Sequence, residues 1–192
     1  MSTALFIIDV QNDFTEGGAL GVDGGAAVAA GISTLLAQHP NAYSHVFASR
    51  DWHDAASDNG GHISENPDYV DTWPPHCIAG TPGAEYHPAL DLSAVDVHVR
   101  KGQGRPAYSI FEGTTDDGES VAAVLDAFGI TDIDVAGIAT DHCVRASALD
   151  AVEAGRHVRV LADLIAGVAA DSSAAALVEL EAAGAEIVEA AQ

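Results

Sequence analysis

Ala4-Leu5-Phe6-Ile7-Ile8-Asp9-Val10 is an almost unbroken apolar run that closes on a carboxylate. A strand with one wet face alternates polar and apolar residues, whereas a strand covered on both faces, as parallel sheets require, does not alternate. The run therefore predicts a buried strand at the heart of a parallel sheet. Similar runs recur at 44–50, 95–101, 133–139, 158–162 and 186–188. Helical patterns lie between them at 25–37, 120–128, 142–154 and 172–183, with Asp171 as the expected N-cap of the last. Three of these helices run into Gly129, Gly155 and Gly184, each placed for a left-handed C-cap. Alternating strand and helix with short links predicts an α/β chain: a three-layer, Rossmann-like fold with a mainly parallel six-stranded sheet and helices on both faces.

The exception is 52–90, which follows neither period and holds five of the seven prolines and four of the nine histidines. A stretch this long without regular structure inside a domain is usually functional, so a long metal- and substrate-binding loop is expected there. No repeat or linker divides the 192 residues, and a single domain over 1–192 follows.

Charge narrows the partners. Seven Lys+Arg against 29 Asp+Glu give a net charge of −22, which repels nucleic-acid phosphates and anionic lipid alike. Nineteen of the acids are Asp, six of the seven cations are Arg, and Lys101 is the only lysine. This bias predicts a halophilic protein whose acidic surface stays solvated where molar salt screens its self-repulsion. No run of about 18 apolar residues exists to span a bilayer, and no basic segment precedes the first strand, so a cytoplasmic protein without membrane contact is expected. Two cysteines, Cys77 and Cys143, suit a reducing compartment and leave a thiol free for chemistry.

Ligands of open α/β sheets bind beyond the carboxyl ends of the strands. Those ends here carry Asp9, then Asp51-Trp52-His53, then Lys101, then Thr140-Asp141-His142-Cys143. Cys143 falls in the first turn of the helix after the fourth strand, where free N–H groups and the helix dipole favour a thiolate nucleophile. Lys101 brings a cation toward it, and Asp9 is placed to take the thiol proton and hand it to a leaving group. Asp13 reads as a turn carboxylate, and Cys77 receives no role. Asp51 and His53, two apart on an extended strand end, together with His62 and His76 in the loop, form a mixed carboxylate–imidazole set suited to one divalent metal, zinc first, with iron or manganese as alternatives. His39, His45, His87, His98 and His157 read as surface or half-buried residues.

The motifs Ile8-Asp9-Val10-Gln11-Asn12-Asp13-Phe14 with Glu16-Gly17-Gly18, Asp51-Trp52-His53, Thr72-Trp73-Pro74-Pro75-His76-Cys77, Gly80-Thr81-Pro82-Gly83-Ala84 and Gly137-Ile138-Ala139-Thr140-Asp141-His142-Cys143-Val144 occur in this order along the chain. On them the chain resembles the nicotinamidase/pyrazinamidase branch of the isochorismatase-like cysteine hydrolases over nearly its whole length. The resemblance implies Asp9, Lys101 and Cys143 as the triad and Asp51, His53, His62 and His76 as metal ligands. It also implies a cis Ile138–Ala139 peptide, an oxyanion hole from the Ala139 and Cys143 N–H groups, and a ring pocket walled by Phe14, Trp73, Tyr108 and His142. The implied activity is hydrolysis of nicotinamide to nicotinate and ammonia, with pyrazinamide also accepted, in NAD salvage; another small-amide or carbamoyl hydrolase of the family is the alternative. One feature departs from the pattern. The spacer 54–61 between His53 and His62 is longer and richer in glycine than in the family's usual sequence.

Overall fold

The computed structural model describes residues 2–190. All six expected strands are present: β1 (Ser2–Ile8), β2 (His45–Asp51), β3 (Val97–Lys101), β5 (Ile130–Ile138), β6 (His157–Ala166) and β7 (Glu186–Val188). A seventh, β4 (Thr114–Thr115), adds an antiparallel edge two residues long, so the sheet has seven strands in the order β4-β3-β2-β1-β5-β6-β7. Every other pairing is parallel.

Helices α1 (Gly25–Gln38), α2 (Val121–Phe128), α3 (Arg145–Glu153) and α4 (Ala170–Ala183) cover the sheet. Alternate residues of β1 show how. Ala4, Phe6 and Ile8 face a core that also takes Val124 and Leu125 of α2, Ala148 and Ala151 of α3 and Leu180 of α4. Leu5 and Ile7 face a second core with Val28, Ile32 and Leu35 of α1. There the loop 52–90 supplies Cys77, Ala84, Tyr86 and Leu90 in place of a second helix. Both faces of β1 are thus dry, which is why its sequence does not alternate.

Gly129, Gly155 and Gly184 all take positive φ, at 63°, 76° and 106°, and close their helices as expected. Two helix starts differ from expectation. Asp171 lies in the first turn of α4 but does not cap it; the Asp141 carboxylate instead accepts from the N–H groups of Val168 (3.0 Å) and Ala169 (3.2 Å) and from the Ser172 hydroxyl (2.5 Å). The helix expected from 142 begins with a wide turn, Thr140–Val144, whose Val144 N–H reaches back five residues to the Ala139 carbonyl at 3.1 Å, and α3 follows only from Arg145.

Candidate active site

Strand β1 continues through α1 to β2 on one side and has β5 on its other side, so the chain reverses its winding direction between β1 and β5. A crevice opens at such a switch point. Asp9 immediately follows β1, the Cys143 turn follows β5, and Asp51 and Lys101 end β2 and β3 as direct partners in register. Four adjacent strands therefore deliver four reactive side chains to one place.

Lys101 is the centre of that group, with 1% of its surface exposed. Its Nζ lies 2.8 Å from Asp9 Oδ2, donates to Asp51 Oδ1 and to the Ala107 carbonyl (3.3 Å), and sits 3.6 Å from Cys143 Sγ. Burial alone would strip its proton, but Asp51 and Asp9 override that and hold the ammonium charged well above the usual lysine range. Burial would likewise raise Asp51, and the Lys101 charge overrides it, holding the carboxylate ionised far below its ordinary value. Asp9 goes the other way: burial raises it, and Lys101 offsets this only in part. Its Oδ1 accepts from Ser49 Oγ at 2.7 Å, a contact the sequence reading did not assign. Asp9 also has φ 47°, a left-handed conformation a non-glycine residue holds only where its surroundings enforce it.

Cys143 corrects an expectation. The turn position does not lower its pKa: burial pushes the thiol well up, the Lys101 charge pulls it down, and the nearby Asp9 carboxylate pushes it up again. Burial thus raises the proton affinity of the thiol and of the neighbouring Asp9 carboxylate alike. That is the arrangement for handing one proton between them.

Beside this triad three buried imidazoles converge. Ligating atoms of His53, His62 and His76 all lie within 4.8 Å of one another. Asp51 Oδ2 stands 3.5 Å from His53 Nε2 and 3.9 Å from His76 Nε2, while its Oδ1 serves Lys101, so one carboxylate joins the two halves of the site. His53 Nδ1 is 2.8 Å from the Gly102 carbonyl and His76 Nδ1 is 2.7 Å from the Pro74 carbonyl, which directs both Nε2 atoms inward. His53 Nε2 and His62 Nδ1 are buried without a hydrogen-bond partner. Burial and the neighbouring imidazoles push His62 down to about 4 and keep it neutral. Convergent buried nitrogens, two of them without a partner, beside one carboxylate are what a divalent cation needs, and the set fits one.

The backbone is cut to this arrangement. Gly102 holds φ 75°, and a Cβ there would lie 2.5 Å from His53 Cε1. Gln11, buried and not assigned in the sequence reading, fastens Asp51 from both sides: its Oε1 accepts from the Asp51 N–H at 2.8 Å and its Nε2 donates to the Asp51 carbonyl at 2.9 Å. Asp13 accepts from the Cys77 N–H at 2.7 Å and so pins the residue after His76.

Above the triad lies a cavity of about 570 Å³ bordered by Phe14, Trp73, Tyr108, His142, Ala139 and Cys143. All four expected ring-pocket residues therefore meet there. Trp73 Nε1 donates to Tyr108 Oη at 3.0 Å, and the His142 ring packs 5.2 Å from Trp73 and 6.1 Å from Tyr108. The Ile138–Ala139 peptide is cis, as the resemblance implied. The outer rim adds Tyr69, Val70 and Val168, apolar side chains that are more than half exposed and that no periodic signal marked. The remaining histidines are partly or fully exposed, as expected.

Comparison with known proteins places this geometry. An Isochorismatase domain model matches residues 3–192. The chain is 52% identical over 185 residues to the nicotinamidase/pyrazinamidase of Mycobacterium tuberculosis, covering 96% of this chain and 97% of that one. It is 34% identical to the nicotinamidase of Escherichia coli, covering 96% and 93%. Among solved structures, an L. infantum protein in complex with nicotinate aligns with TM-score 0.84 and 33% identity over 98% of this chain and 92% of that one. The pyrazinamidase of Pyrococcus horikoshii in complex with zinc aligns with TM-score 0.82 and 33% identity over 98% and 99%.

Proposed function

Because the chain belongs to the isochorismatase family, we propose that it hydrolyses the carboxamide of nicotinamide to give nicotinate and ammonia, with pyrazinamide as a second substrate. The observation that carries this reading is the placement of Lys101 within reach of Asp9, Asp51 and Cys143, the last two of which line an aromatic-walled cavity. The fold and the relatives' activities support it.

The flat ring fits between Phe14, Trp73, Tyr108 and His142. Asp51, His53, His62 and His76 would hold a divalent metal, zinc in our reading, which supplies a Lewis-acidic anchor for the ring nitrogen. Asp9 accepts the Cys143 proton as sulfur bonds to the carboxamide carbon, and the Ala139 and Cys143 N–H groups hold the oxyanion, a device typically worth about 10²–10³-fold in turnover. Asp9 returns that proton to the departing nitrogen, the C–N bond breaks, and ammonia leaves a thioester. Water, giving a proton to Asp9, attacks the thioester; nicotinate departs and the thiol regains its proton. Lys101 keeps Asp9 oriented and offsets the negative charge that passes between oxygen and sulfur. We also infer that the protein works in the cytoplasm, in NAD salvage; among the described residues no helix is long and apolar enough to cross a membrane.

The test is ammonia release from nicotinamide, followed before chelation, after it, and with zinc, iron or manganese restored. Activity should vanish with the metal and return with it, and Cys143→Ala should lose at least about 10⁴-fold while still binding metal. Turnover that survives complete metal removal would discard the metal-anchored pose; appreciable turnover by the alanine variant would discard the nucleophile. No release from nicotinamide by metal-loaded protein would move the substrate to other small amides or carbamoyl compounds.

A further inference from the structure

Resting on the reading that His53, His62 and His76 hold a metal, the structure assigns to Asn59, in the long spacer 54–61, the role of a positioning residue: we infer that it latches two ligand-bearing segments together and sets how long the metal stays bound.

Asn59 is fully buried although its neighbours Ser57, Asp58, Gly60 and Gly61 are exposed. Each polar atom of its side chain is used. Oδ1 accepts from the Asp54 N–H at 2.8 Å and the Gly104 N–H at 3.1 Å; Nδ2 donates to the carbonyls of Asp54 (3.0 Å) and Ser57 (3.2 Å). Its own carbonyl accepts from the His62 N–H at 3.4 Å. One residue thereby touches the residue after the first histidine ligand, the backbone of the second, and the 102–104 segment. That segment matters because the Gly102 carbonyl is the partner that orients the His53 ring.

The local chain is shaped for this contact. Asn59 has φ 52°, a left-handed conformation that Asn tolerates better than other side-chain-bearing residues. Gly60 and Gly61 follow at φ 70° and 85° and complete the tight return to His62. A Cβ at Gly60 would already be 3.2 Å from Pro106 Cδ, so the spacer is seated on the 104–106 segment rather than looping into solvent. A longer spacer raises the entropy of an unconstrained His62, and a fully satisfied buried amide at its midpoint removes that freedom. Residues that orient metal ligands typically control about 10–100-fold in metal affinity.

The experiment follows release of bound zinc to a chromophoric chelator in excess. Asn59→Gly removes the side chain and keeps the left-handed backbone free of strain; zinc release should quicken by about 10–100-fold, and the melting temperature of the metal-loaded protein should fall by more than that of the metal-free protein, which loses only the amide's own hydrogen bonds. Asn59→Asp retains the acceptor for the Asp54 and Gly104 amides but turns a carboxylate oxygen against the Asp54 and Ser57 carbonyls that Nδ2 served, so it should also release zinc faster than the parent. Release from Asn59→Gly within about twofold of the parent overturns the inference. If Asn59→Gly does not fold, the parent decides: coupling is reciprocal, so zinc must slow amide exchange at Asp54 and Gly104 by about tenfold or more, and unchanged exchange overturns it. Parent protein that binds no zinc, iron or manganese at all defeats the metal reading itself, a result distinct from all of these.

Discussion

Lys101 shows how much one side chain can be asked to do. Its ammonium sits among Asp9, Asp51, the Ala107 carbonyl and the Cys143 sulfur, with no water-facing surface to relieve a change in shape. A guanidinium carries the same charge on a larger planar fork that cannot converge on four partners from one point. Lys101→Arg should therefore lose about 10²-fold or more in kcat/KM and cost about 1–3 kcal/mol from overpacking, read as a lower urea midpoint. A variant of near-parental activity and stability would show that only charge matters there. Asp9, Asp51, Lys101 and Cys143 were legible in the sequence because each stands at or just beyond a predicted strand end, whereas Ser49 and Gln11 carried no such signal. What was not legible was the direction in which the Cys143 thiol is shifted: helix-end position argues downward, whereas burial and the neighbouring Asp9 push it up against the pull of Lys101.

Among the elements, the apolar runs announced six strands because double burial leaves a compositional mark, whereas β4 is two threonines and leaves none. The same limit explains the start of α4. Asp171 stood where a cap is expected, but no side chain caps α4; Asp141, from the turn before α3, instead fastens the residues leading into the helix and the Ser172 hydroxyl, 27–31 residues away. Propensity reads neighbours along the chain and is blind to such a reach. Asp141 also links the Cys143 turn to α4, and its consequences can be measured. Its hydrogen bonds hold the carboxylate ionised below the ordinary range against the opposing effect of burial. A depressed carboxyl contributes stability that is complete above its unfolded value, about 4, and is lost as pH falls through the lower folded value. Asp141→Asn should thus be less stable than the parent by about 1–2 kcal/mol near neutrality, with the gap closing in acid. A difference that stays constant from neutral pH down to about pH 2 would show that the charge on Asp141 is immaterial.

For the molecule as a whole, the acidic bias resolves into an exposed coat. Asp116, Asp117, Glu119, Glu179 and Glu181 all face solvent, although Arg100 reaches Asp116 at 3.2 Å and Arg145 grips Glu179 at 2.6 Å. Like charges spread at −22 oppose compaction in dilute buffer, and about 1 M salt shortens the screening length to about 3 Å. We expect melting temperature and activity to climb with KCl into the molar range. Equal stability and turnover in dilute buffer would refute the halophilic reading while leaving the active site untouched.

The burial of the sole lysine has a practical corollary. Reagents that acylate side-chain amines find their single lysine target sealed beneath the cavity floor, so labelling at Lys101 requires the chain to open and its extent counts opened molecules. A covalent clock for unfolding is already written into the protein, and the residue that carries it is the one that holds the reactive carboxylates in place.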